Sequence, residues 1–343
     1  MITILQPDKR INFAYITSCR ELALDEKVGR IVIDSINGKN YGYREGNLEN
    51  LTRRLSDRST EFAQRFNLTA IIVDDDDDQY AMAWKQAEIW PRDRLVPIRL
   101  EDGDLTVRVP LENITIRIPS QPWKNIRKLE RETIETFRER KAEAKADYEM
   151  RILDYLRFIG IDLIVSDSYM TIFGPTLINA YRGRILNIHP AITLETHPAK
   201  LPGPTPTRDA FTRSVYGYII VDDKKSVDIP EGHQIEVDYE GKRRTAVVVP
   251  KSNVTGATVH VITEEVDKGP VVMNRSYTFD TNDITPEAIR NMNYVIKREI
   301  LTIAMLNYLR RPEVIKLIAV GRKENNMYSV VEGYYRHQLN EAK

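Results

Sequence analysis

The tetrad Asn187-Ile188-His189-Pro190 places an amide and an imidazole two positions apart. On an extended strand, residues at that spacing project from the same face, so both groups enter one crevice. Pro190 cannot donate to a sheet ladder and ends the strand, at the carboxyl edge where open α/β sheets hold ligands. Taken alone, the pair reads equally well as a hydrogen-bonded strand terminus. Further on, Thr258-Val259-His260-Val261-Ile262-Thr263 alternates as a strand and runs into Glu264-Glu265-Val266-Asp267-Lys268-Gly269-Pro270, an acidic loop closed by glycine and proline. By itself that loop reads as a turn. Together the two stretches suit transfer of an acyl group to an amine. The tetrahedral intermediate needs donors for its oxyanion, and the attacking nitrogen must lose a proton. Asn187 and His189 are the candidate donors. Asp267 is the candidate carboxylate, expected to keep the imidazole protonated and to take the amine's proton directly or through water. No serine or cysteine nucleophile is required.

Positioning these groups calls for a parallel sheet. Ile11 to Thr17 (INFAYIT) reads as a first strand, followed by a helix-like stretch, and Leu68 to Val73 as a second strand ending in Asp74 to Asp78. That aspartate run is expected to be a solvated loop. Between Pro97 and Pro119 the pattern predicts short strands broken by prolines. Trp123 to Phe158 predicts one long or two successive helices, stopped by Gly160 and followed by a buried strand, Ile161 to Ser166. A short helix over Pro175 to Ala180, a strand over Arg184 to Ile188 and a helical piece near Arg208 to Arg213 come next. Val215 to Ser252 alternates around Glu240-Gly241 as an inserted β-hairpin or small subdomain. A capped helix is expected from about Thr285 to Leu309, and the fold of the tail from Arg310 is left open.

Composition narrows the partners. Fifty basic residues balance fifty acidic ones, so no long-range attraction to a polyanion arises and nucleic acid is not expected. The trio Lys242, Arg243 and Arg244 is read as a solvated hairpin turn. The single cysteine, Cys19, forms no internal disulfide, and the five histidines show no zinc spacing, so no metal is expected. With neither a signal-peptide pattern nor a membrane-length apolar run, a cytoplasmic protein without membrane partners is expected.

The stretches SYMTIFGPTLINAYRGRILNIHP, Ser168 to Pro190, and GATVHVITEEVDKGPVV, Gly256 to Val272, resemble the two signature regions of the 10-formyltetrahydrofolate-dependent formyltransferases, glycinamide ribonucleotide transformylase in particular. The resemblance covers about Tyr148 to Thr212 and Gly256 to Leu309. It implies an α/β fold with a Rossmann-like, doubly wound, mostly parallel sheet, an antiparallel carboxyl-terminal portion, a β-rich insertion and a C-terminal extension. In domain terms, residues 1–310 would be catalytic, with a divergent part over 1–147 and a recognisable core over 148–212 and 256–309. The insertion would occupy 215–252 and the extension 311–343. The resemblance also implies formyl transfer from 10-formyltetrahydrofolate, as co-substrate, to a small-molecule amine. The family's catalytic residues fall on Asn187, His189 and Asp267, and its folate pocket on Met170, Ile172, Phe173 and the backbone from Thr263 through Glu264, Glu265 and Val266 to Asp267. His260 matches a family histidine and is read as a satisfied strand residue.

The chain also departs from that pattern. Thr17-Ser18-Cys19-Arg20-Glu21 stands where the ribonucleotide enzymes carry a glycine-rich phosphate loop, which leaves Ser18 and Arg20 as candidate substrate contacts. Lys297 or Arg298 occupies the place of a glutamate that helps hold the substrate amine, and Arg298 is taken as a further candidate. The loop after His189 is longer, with His197 and a Pro202-Gly203-Pro204 turn. These changes imply an acceptor of altered size or charge, amino sugars linked to nucleotides and amino-acid-like metabolites both remaining open. Alternative readings are a formyltetrahydrofolate hydrolase and a catalytically idle folate-binding homologue. The assembly state, a homo-oligomer included, is left open.

Overall fold

A computed structural model describes residues 10–18, 31–33, 40–42, 47–74, 95–99, 106–169, 171–201, 203, 205–224, 229–282 and 284–341. The chain divides into two units, one of Met1–Leu186 with Leu306–Lys343 and the other Asn187–Met305.

In the first unit, β1 (Ile11–Thr17) is buried at every position but Asn12. An apolar run of this kind belongs to a strand covered on both faces. Strands β4 (Phe66–Val73) and β8 (Leu163–Asp167) flank β1, both parallel to it, and β7 (Thr115–Arg117) pairs in parallel with β4. Two short antiparallel pairs, β2 (Ile31–Ile33) with β3 (Asn40–Gly42) and β5 (Leu95–Arg99) with β6 (Thr106–Pro110), lie outside this ladder. Helices α1 (Asn47–Ser56) and α2 (Glu61–Arg65) contribute Leu48, Leu51, Leu55 and Phe62 to the core. There the Phe13 ring meets Phe66 edge-on at 6.0 Å.

The charged stretch beyond Trp123 resolves into two helices, α3 (Gln121–Lys124) and α4 (Ile134–Phe158). The Thr133 hydroxyl caps α4 by accepting from the Thr136 N–H at 3.1 Å, and Gly160 ends it with φ +70°. Tyr148, Ile152 and Leu156 form its buried stripe at helical spacing. On the same face Glu149, 2% exposed, accepts the Gly174 N–H at 2.5 Å and so satisfies the start of α5 (Pro175–Ala180). The tail is one helix, α8 (Pro312–Glu341). It buries Val314 and Ile318, and its Arg322 donates to both carboxylate oxygens of Asp162 at 2.7 and 2.6 Å.

The second unit holds α6 (Pro206–Val215), α7 (Pro286–Leu309, all but its last turn) and the antiparallel pair β13 (Val254–Val261) with β14 (Val271–Thr278). The expected insertion is a three-stranded sheet of β10 (Tyr218–Ile220), β12 (Lys242–Val248) and β11 (Gln234–Tyr239), in that order. Its hairpin turns at Glu240 and Gly241, both left-handed at φ 52° and 71°, as a tight hairpin requires. Ile219, Val221 and Val247 from the insertion pack with Ala191, Leu201, Ala210, Phe279 and Ile289. The insertion therefore shares one core with α6 and α7. Strand β9 (Ile185–His189) runs from one unit into the other, within a mostly parallel seven-stranded sheet of order β14-β13-β9-β8-β1-β4-β7. No helix among the described residues is long and apolar enough to cross a membrane.

Candidate active site

The last residues of β9 and β13 and the loop after β13 bring the three expected groups together within the second unit. His189 is 7% exposed. Its Nε2 lies 3.3 Å from the Leu201 carbonyl and its Nδ1 lies 3.7 Å from Asp267 Oδ2. A carbonyl only accepts, so Nε2 carries the proton of the neutral ring and Nδ1 is the free base, facing the carboxylate. Burial lowers the His189 pKa below its ordinary 6.5, outweighing the attraction of Asp267, and nearby His260 and Lys297 lower it further. That direction runs against the expectation that Asp267 keeps the imidazole protonated. Desolvation in this pocket costs the cation more than one carboxylate at 3.7 Å returns.

Asp267 adopts φ 57°, a left-handed conformation rare outside glycine and met at strained functional turns. Burial by itself would raise its pKa. The neighbouring His189 and His260 rings and the Gly203 N–H at 3.1 Å from Oδ2 prevail and hold the carboxyl well below the usual carboxylate range. Gly269 makes the loop possible. A Cβ there would fall 1.7 Å from the Val261 carbonyl oxygen, and the Val261 N–H donates to the Pro270 carbonyl at 2.9 Å.

Asn187, half-buried, presents its Nδ2 to His260 Nε2 at 3.1 Å, while His260 Nδ1 lies 3.2 Å from the Val261 carbonyl. That pairing puts the His260 proton on Nδ1, makes Nε2 the acceptor and fixes the Asn187 amide plane. His260 Nε2 also lies 3.5 Å from Asp267 Oδ1. His260 is a satisfied strand residue, as the sequence suggested, and its partners are the candidate Asn187 and the Val261 carbonyl. Alternation along β13 carried the signal, since His260 shares its strand face with Thr258, whose hydroxyl accepts the Thr193 N–H at 3.1 Å in the loop after His189. Gly203 was read only as a turn residue.

The other candidates are more dispersed. Thr263 is half-buried and its hydroxyl donates to the Glu265 carbonyl at 3.2 Å, while Glu264, Glu265 and Val266 are exposed. In the first unit Ile172 is 50% exposed, but Phe173 is buried with its ring 5.0 Å from that of Tyr169. Ser18 is buried at the end of β1, its N–H 3.4 Å from the Ser168 carbonyl. Met170 and Arg20 lie outside the described residues, as do Asp75 to Asp78. Asp74 is wholly buried, accepting from Thr171 at 2.6 Å and Lys124 at 3.3 Å, so the first aspartate of that run is a paired core residue, contrary to the solvated loop expected. Among the described residues no group of three or more His, Cys, Asp or Glu could hold a metal. Arg298 is half-buried on α7, beside the fully buried Lys297, whose ammonium lies 4.9 Å from the Tyr294 ring centroid.

Residues 113–214 match the formyl transferase family model. The chain is 28% identical to the phosphoribosylglycinamide formyltransferase of Bacillus subtilis (strain 168) over 147 residues, 43% of this chain and 54% of that one. It is 25% identical to the formyltetrahydrofolate deformylase of the same organism over 163 residues, 48% of this chain and 40% of that one. It thus spans about half the length of the curated relatives it matches. A solved structure of PvdF of pyoverdin biosynthesis, described as a structurally unique N10-formyltetrahydrofolate-dependent formyltransferase, superposes with a TM-score of 0.57 at 24% identity, over 86% of this chain and 100% of that one. The resemblance to the 10-formyltetrahydrofolate-dependent formyltransferases read from the two sequence motifs is thereby borne out, and the fold is theirs.

Proposed function

We propose that this chain transfers a formyl group from 10-formyltetrahydrofolate to the primary amine of a small molecule. The observation that carries the reading is the meeting of Asn187, His189 and Asp267, remote in sequence, with the His189 Nδ1 facing an ionised Asp267 at 3.7 Å. This donor set suits a formyl carbonyl. As the amine nitrogen bonds to the formyl carbon, the carbonyl electron pair moves to oxygen, where the Asn187 amide meets it. His189 Nδ1 takes the amine's proton, directly or through water, and becomes an imidazolium that Asp267 holds and that shares in stabilising the oxyanion. The same proton then passes to the folate nitrogen as its bond to carbon breaks. Such general acid–base steps contribute about 10²- to 10⁴-fold.

Ile172 and Phe173, Met170 beside them in sequence, and the backbone from Thr263 to Asp267 are the residues proposed to hold the folate. Ser18, Arg20 and Arg298 are proposed acceptor contacts. One catalytic domain over residues 1–310, with 215–252 inserted and 311–343 as an extension, a cytoplasmic location and a small-molecule partner belong to the same reading.

The test is incubation with 10-formyltetrahydrofolate and a panel of amines, amino sugars and amino-acid-like metabolites included, read by mass spectrometry. A mass gain of one formyl unit on an amine is expected. Formate release with the donor alone, unchanged by every amine, would instead establish a hydrolase. Failure to bind any reduced folate would leave an idle homologue.

A further inference from the structure

We propose that Lys224, delivered by the β-rich insertion, is a positioning residue for Asp267, acting through a buried pair with Asp209 and the backbone of Gly203. This rests on the proposed catalytic role of Asp267.

The connection can be followed atom by atom inside the second unit. Gly203 donates its N–H to Asp267 Oδ2 at 3.1 Å and takes φ +97°, a conformation open to glycine. The Lys224 ammonium lies 3.8 Å from the point a Cβ on Gly203 would occupy, and the Thr205 hydroxyl, two residues on, lies 3.5 and 3.4 Å from the two carboxylate oxygens of Asp209. Lys224 Nζ donates to Asp209 Oδ2 at 2.5 Å, with side chains 3% and 0% exposed. Asp209 sits in the first turn of α6, and its N–H donates to the Thr205 carbonyl at 3.0 Å, two residues beyond Gly203. Arg208 secures the other side. It grips Asp223, next to Lys224, at 2.7 and 2.9 Å and donates to the Thr205 hydroxyl at 2.9 Å.

A buried pair of this kind adds little net stability, because desolvation offsets the attraction, but it fixes one geometry. What it fixes here is Thr205, two residues from Gly203, whose N–H donates to the Asp267 carboxylate that faces His189. The insertion is thereby wired to the reacting groups without touching substrate.

Removing Lys224 alone leaves the buried Asp209 carboxylate to Arg208 at 3.3 Å, and Lys224→Met is expected to fold poorly. The informative variant is Lys224→Met with Asp209→Leu, which removes both charges and keeps the volume. Two readouts are needed: kcat and KM for formyl transfer, and amide hydrogen exchange at Gly203. Pro202 and Pro204 carry no amide hydrogen, which isolates the Gly203 signal. The double variant is expected to melt at or near the wild-type temperature. Its Gly203 amide should exchange about tenfold faster, as one lost hydrogen bond allows, and kcat should fall about 10- to 100-fold with KM for the donor little changed. Wild-type exchange at Gly203 would overturn the proposal whatever the activity. Faster exchange with wild-type kcat would overturn the link to Asp267. If the wild-type chain itself transferred no formyl group, the formyltransferase reading would fall, and exchange alone would judge whether Lys224 and Asp209 hold Gly203.

Discussion

His189 is pulled in two directions, and the balance predicts a pH profile. Burial lowers its pKa below 6.5 while Asp267 raises it. In the proposed mechanism the free base at Nδ1 is the active form, so kcat/KM should fall as the pH drops below the folded pKa, giving an acid limb under pH 6.5. Asp267→Asn removes the raising influence, and its acid limb should move to lower pH while kcat drops; a limb moving to higher pH would reverse the assigned roles. Asn187, His189 and Asp267 were legible as candidates because an Asn-x-His strand end and a Gly-Pro-closed acidic loop are local patterns. The partners of His260 and Gly203 were not, since they lie far along the chain, Asn187 at 3.1 Å from the one and Asp267 at 3.1 Å from the other. The lowering of the His189 pKa also escaped the sequence, because burial sets it.

At the scale of elements, periodicity carried far. INFAYIT, the Pro175–Ala180 helix and the Glu240-Gly241 hairpin turn stand where the apolar patterns and turn residues put them. The tail after Arg310 did not announce itself. Its helix α8 has a sparse apolar stripe and is held by Arg322 on Asp162, a pairing with no local signature. That the insertion shares its core with α6 and α7 likewise depends on Ile219, Val221 and Val247 meeting Phe279 and Ile289, which no short-range pattern reveals. The loop after β13 offers a test at this scale. A Cβ at Gly269 would overlap the Val261 carbonyl, 1.7 Å from its oxygen and 2.9 Å from its carbon. Gly269→Ala should therefore cost about 1–3 kcal/mol in denaturant unfolding and reduce kcat more than the stability loss explains, because the displaced loop carries Asp267. An alanine variant of wild-type stability and rate would mean that the loop does not need this approach.

For the molecule as a whole, equal numbers of acidic and basic residues leave local geometry, not net charge, to select the partner. The mostly parallel sheet was legible from continuous apolar strands separated by helical stretches. The reaction centre remains the part on which the rest depends. Single-turnover consumption of 10-formyltetrahydrofolate in the presence of an accepted amine, measured for wild type and for Asn187→Ala, His189→Ala and Asp267→Ala at matched melting temperature, tests it most directly. Each substitution should slow formyl transfer by about 100-fold or more while the fold persists. Wild-type rates in any well-folded member of the three would contradict the mechanism.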